Sequence, residues 1–212
     1  LNLVLKSLLD WVESSYYWKE DRITCKLLEY TSIPGEVSHY SSIYIENIAI
    51  LIQAVEEAFL NHARINSDWW KNEETKLRES KELAFRYILI KAYFENIEIN
   101  LNGIATQLLD NELFESGKLN YELGLLINQT FHLLPDQIQD EIITVIENLF
   151  SERTEQEERY RNWYNRVKFE LFMRIPTCFR ADRINSFIDE FIPQFGYYEP
   201  VRERNSWGGW IG

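Results

Sequence analysis

Apolar residues recur at three- and four-residue steps along most of this chain, the spacing that gathers them on one face of an α-helix. The clearest instance is 119–150. Leu119, Leu123, Leu126, Ile127, Thr130, Phe131 and Leu134 form one stripe, and Ile138, Ile142, Val145, Ile146, Leu149 and Phe150 form a second. Gln137, Gln139, Asp140, Glu141, Glu147 and Asn148 fall mostly on the other side of that second segment. Pro135 lies between the two stripes. Proline is tolerated in a helix's first turn, where its missing N–H has no partner to lose, and Asp136, Asp140 and Glu141 place negative charge near that positive end. The pattern predicts an antiparallel helical hairpin, and neighbouring segments must cover the apolar surface that a single hairpin leaves exposed.

The rest of the chain repeats the theme. Leu1, Leu5, Leu8, Leu9 and Val12 have helical spacing, with Trp11 at the stripe's edge, and Ser14 to Tyr17 bend or end that helix. Ile23, Leu27 and Leu28 resume the apolar pattern before Ile33-Pro34-Gly35, a stop signal. Ser41 or Ser42 caps a long helix whose inner face is Ile45, Ile48, Ile52, Val55 and Phe59, widened by Tyr44 and Leu51. Asn66-Ser67-Asp68 offers capping residues for the next helix, with Glu73 or Glu74 supporting its first turns. That helix carries Leu77, Ala84, Tyr87, Ile88, Lys91, Phe94 and Ile97 and reads as one long element, broken near Leu101 and Gly103 before a short helix with Ile104, Leu108 and Leu109. Beyond the hairpin, Ser151 caps a charged segment that acquires aromatics and then apolar residues to Phe172. Ile175-Pro176-Thr177 ends it, and Ile184, Phe187, Ile188 and Phe191 make a last helix before Pro193 and Gly196.

No convincing period-two strand pattern occurs. The expected fold class is therefore all-α: stacked antiparallel helical hairpins in a solenoid-like array, HEAT-like rather than tetratricopeptide-like, over 1–195. A subdivision is expected near 66–68 or 151. Residues 196–212 read as an irregular tail leading to the next part of a longer chain, since the sequence starts inside an apolar pattern and its only methionine is Met173.

Composition narrows the function classes. The chain has 212 residues, is 45% hydrophobic and carries 22 basic against 34 acidic side chains, a formal charge of −12. Such a balance disfavours the segment as a whole as a sequence-independent binder of nucleic acid or anionic membrane. Cys25 and Cys178 form no metal or disulfide framework, and no run of about eighteen apolar residues is present, so a reduced, cytoplasmic setting is expected.

Candidate chemistry is sparse. His39, His62 and His132 are far apart and lack the companions of a metal site. Cys25 and Cys178 have no neighbouring histidine and are expected as small buried side chains. No nucleotide-binding glycine loop is present, and pairs such as Glu56-Glu57 and Glu73-Glu74 are expected as solvated helix faces. The segment is accordingly expected to have no catalytic residues, metal site or cofactor.

One charge anomaly stands out. Between 159 and 183, Arg159, Arg161, Arg166, Lys168, Arg174, Arg180 and Arg183 face only Glu170 and Asp182, interleaved with Tyr160, Trp163, Tyr164, Phe169 and Phe172. Cations for a phosphate backbone and flat rings for bases are the mixture of a nucleic-acid groove. Internal pairing of the arginines, with the aromatics packed inside, is the alternative. Trp69-Trp70, Trp207 and Trp210 are either interface anchors or packing residues. The candidate interaction set is Arg159, Arg161, Trp163, Arg166, Lys168, Arg180, Trp207 and Trp210.

Ile175-Pro176-Thr177-Cys178-Phe179-Arg180-Ala181-Asp182-Arg183-Ile184, then Ile188-Asp189-Glu190-Phe191, Phe195-Gly196 and Ser206-Trp207-Gly208-Gly209-Trp210-Ile211-Gly212, resemble a segment of large bacterial STAND-type NTPases and related antiphage ATP-binding proteins. The resemblance covers roughly the C-terminal half, and its motifs are structural. It implies a helical sensor or scaffold that binds a protein partner or docks on neighbouring domains of the same chain. ATP hydrolysis and effector activity would then lie elsewhere in the parent. The expected function is non-catalytic protein interaction; the alternative is nucleic-acid binding through 159–183.

Overall fold

The computed structural model describes residues 2–14, 23–33, 43–151 and 158–197. Among these the protein is all-α, with ten α-helices, short 3₁₀ turns and a single isolated β-bridge. No described helix is long and apolar enough to cross a membrane. The described residues fall into two compact units that divide between Asn96 and Ile97, whereas 66–68 is a turn inside the first and 151 lies inside the second.

The first unit contains α1 (Asn2–Ser14), α2 (Ile43–Arg64), α3 (Asp68–Glu79) and α4 (Leu83–Glu95). Its centre is α4. Residues 83–90 are all buried, as are Ala92 and Tyr93, and a helix apolar nearly all round must be enclosed on every side. The cover comes from α2, α3 and the 3₁₀ turn Leu28–Tyr30. Ile52, Val55, Phe59 and Ala63 form the buried face of α2, as the spacing predicts for the first three.

The single long helix expected after residue 68 is two helices. Ser67 caps the first through an oxygen that accepts from the Trp70 N–H at 3.1 Å. The break at 80–82 arises because Glu82 turns its carboxylate on the connector 23–33 instead of continuing the helix. It accepts from the Thr24 hydroxyl (2.7 Å), the Lys26 N–H (3.2 Å) and the Leu27 N–H (3.0 Å), and it caps α4 through the Ala84 N–H. Thr24 completes the junction, donating its N–H to the Lys81 carbonyl at 2.8 Å and accepting from the Leu83 N–H at 2.7 Å. The apolar set Ile23, Leu27 and Leu28 is thus a strapped connector ending in a 3₁₀ turn.

The second unit contains α5 (Leu101–Leu108), α6 (Asn111–Glu115), α7 (Asn120–Thr130), α8 (Asp136–Asn148), α9 (Glu158–Arg174) and α10 (Asp182–Phe195). All seven stripe positions expected between Leu119 and Leu134 are buried. The partner of that stripe differs from expectation: α9 lies against α7, α8 and α10, and α7 and α8 approach each other less than either approaches α9. Pro135 is the residue just before α8 rather than within its first turn. Pro193 lies inside the last turn of α10, which closes at Gly196 with φ of 76°. The proline's missing N–H leaves the Asp189 carbonyl without the usual helical donor, and the helix runs only two residues further.

Two close approaches fix the packing of this unit. Gly117 (φ 70°) sits beneath the Trp163 ring, where an added Cβ would lie 3.3 Å from a ring carbon. Gly124 lets the Arg174 side chain lie against α7, where a Cβ would meet its Cγ at 3.0 Å. At the end of α8, Phe150 takes a φ of 61°, a left-handed value uncommon for a bulky residue. Its N–H donates to Glu115 at 3.1 Å and its ring stacks on Tyr164 at 4.5 Å.

Glu82 supplies the test of how the first unit is held. Glu82→Ala leaves buried peptide N–H groups without an acceptor, and we expect it to destabilise the first unit by about 3 kcal/mol. Hydrogen exchange at the amides of α4 reads the loss, and a change below about 1 kcal/mol would show that the strap is incidental.

Candidate functional site

In the first unit, polar groups converge where the connector crosses α2 and α4. The Glu56 carboxylate, on α2 and only 3% exposed, accepts from the Ser32 N–H at 3.0 Å and from the Ser32 hydroxyl. Lys91 on α4 forms an ion pair with the same carboxylate and donates to Ser32 Oγ at 2.7 Å. Tyr87 Oη lies 3.3 Å from that Oγ. Glu56 is therefore buried and paired, and the expectation of a solvated face fails at this position. It also fails at Glu73, 8% exposed and bonded to Lys76 at 2.7 Å, and at Glu74, which binds Arg78 at 3.3 Å and accepts from the Tyr93 hydroxyl. Burial, and then the neighbouring Glu74 charge, push the Tyr93 hydroxyl far above the ordinary tyrosine pKa.

A serine hydroxyl beside a lysine amine is the pairing that activates the nucleophile of Ser–Lys hydrolases. That use needs an amine with an available lone pair. Here the amine is ion-paired to Glu56 and the serine hydrogen points at the same carboxylate, so the cluster anchors the connector.

Also on α2, Leu51 does not widen the inner face as expected. It is 39% exposed, next to Ile50 at 65%, with Asn47, Ala54 and Asn61 exposed on the same side and Ile65 at 72% just beyond the helix. The rings of the adjoining turn pack inward. Trp70 is 2% exposed with its ring 6.1 Å from Tyr93, and Trp69 lies 4.7 Å from Phe59 and 4.6 Å from His62. Of the remaining candidate groups, His132 is exposed in a 3₁₀ turn and His39 lies outside the described residues. Cys25 and Cys178 are both exposed, contrary to the expectation of buried thiols, because the connector and the 3₁₀ turn that carry them run along the surface. Among the described residues no three His, Cys, Asp or Glu side chains gather as metal ligands would.

In the second unit the basic stretch is largely engaged within the protein. Arg166 pairs with Glu170 and Arg183 with Glu147, at 2.8 and 2.6 Å. Lys168 donates to the Glu147 carbonyl at 2.6 Å, near the negative end of α8. Arg180 donates to the Ile175 and Met173 carbonyls, both at 2.8 Å, capping the end of α9. Arg174 is 5% exposed, 5.3 Å above the Tyr121 ring. Arg161 is exposed. Tyr164, Phe169 and Phe172 are buried, and Trp163, 39% exposed, leans on Phe150 at 5.1 Å. The side chain of Arg159, and Trp207 and Trp210 entirely, lie outside the described residues.

Sequence inspection missed the Ser32, Glu56, Tyr87 and Lys91 cluster, whose members are separated by up to 59 residues and share no local motif. It also missed the outer face of α2, although that signal is present in the spacing.

Two measurements follow. Lys91→Met leaves a buried carboxylate without its cation, and because Lys91 is about a third exposed we expect a cost of about 2 kcal/mol. Adding Glu56→Gln should return part of that loss, and strict additivity of the two would mean the ion pair contributes nothing. Partial burial lowers the Lys168 pKa, with the Glu147 charge opposing, so its ammonium should release its proton below the ordinary lysine value of 10.5. A ¹³Cε titration reads this directly, and a midpoint at or above 10.5 would contradict it. Compared with protein-family models, curated proteins and solved structures, the chain matches none.

Proposed function

We propose that this chain is a non-catalytic helical segment that binds protein, as part of a larger protein whose chemistry lies elsewhere. The observation that carries the reading is the outer face of α2, where Ile50 and Ile65 are 65% and 72% exposed and the intervening exposed residues include Leu51 and Ala54. Burying such side chains against a partner contributes about 25 cal/mol per Å² of apolar surface removed from water. The polar clusters favour the same reading, since their hydrogen-bonding groups are occupied by the fold itself. A cytoplasmic bacterial defence NTPase as the parent rests on the resemblance of 175–196 and 206–212 alone.

A nucleic-acid interface at 159–183 has less support. Arg166, Lys168, Arg180 and Arg183 hold carboxylates or helix-end carbonyls, and phosphates would have to compete with those partners. In the parent protein, a photo-crosslinking residue in place of Ile50 should give discrete adducts with a protein. The same residue in place of Lys71, exposed on α3, should not. Equal labelling from both positions, or none from Ile50, overturns the reading. Steeply salt-sensitive binding of nucleic acid, abolished by Arg166→Glu with Lys168→Glu, would favour the alternative.

A further inference from the structure

We draw no further inference here: the strongest candidate, the apolar outer face of α2 around Ile50 and Leu51, is the surface already described, and nothing in the structure shows what covers it.

Discussion

Enclosing α4 is the constraint on which the first unit depends. A helix buried nearly all round needs apolar cover from several directions, and α2 and α3 supply only part of it. The remainder comes from the connector 23–33, which is largely irregular backbone. Irregular backbone brought against a core carries peptide N–H groups that cost about 1–3 kcal/mol each if left without an acceptor. Glu82 and Glu56 resolve the conflict. Between them they accept from the N–H groups of Lys26, Leu27 and Ser32 and from the hydroxyls of Thr24 and Ser32. Two buried carboxylates, normally a liability in an apolar interior, are here the means by which a loop becomes part of the core.

The second unit uses cations in a corresponding way. Lys168 and Arg180 donate to carbonyls at or near helix ends, where unsatisfied oxygens concentrate partial negative charge. Arg174 lies against α7 in the gap that Gly124 leaves, with its guanidinium over the Tyr121 ring. Its long apolar stem contributes packing as well as charge. The surplus of arginine and lysine over 159–183 therefore reflects the number of helix ends that surround α9 as much as any external ligand. The aromatics follow the same logic, since Phe150, Trp163 and Tyr164 close the junction where α8 ends and α9 runs past it.

Which features could be read from the sequence depended on whether the signal was local. The stripe from Leu119 to Leu134 is buried throughout because helical periodicity requires only near neighbours. The break at 80–82 was invisible because its cause is a carboxylate meeting a connector more than fifty residues earlier in the chain. Glu56 looked solvated for the same reason: its partners, Ser32 and Lys91, come from other elements. Leu51 was assigned to the inner face because a denser set of isoleucines on the same helix claimed every apolar residue nearby. A four-three alternation was present beside it, but two apolar faces on one helix cannot be told apart until the core chooses between them. Exposed Cys25 and Cys178 ran against the burial habits of cysteine, which describe an average site and not the solvent side of a connector whose Leu27 and Leu28 face inward, or of a 3₁₀ turn.

The two faces of α2 constrain how a partner can act. Leu51, Ala54 and Ala58 on the outside alternate with Ile52, Val55, Glu56 and Phe59 on the inside along the same turns. A partner that shifted this helix by even one ångström or so would pull Glu56 from Ser32 and Lys91. A buried carboxylate stripped of its partners costs about 3 kcal/mol or more, comparable with what a small apolar seam gains on binding. Docking on α2 is therefore favoured when the helix stays in place, and a partner that changes the conformation of the first unit must supply additional contacts. On the reading proposed above, such a surface would hold a neighbour by shape, with the Glu56 anchor resisting deformation.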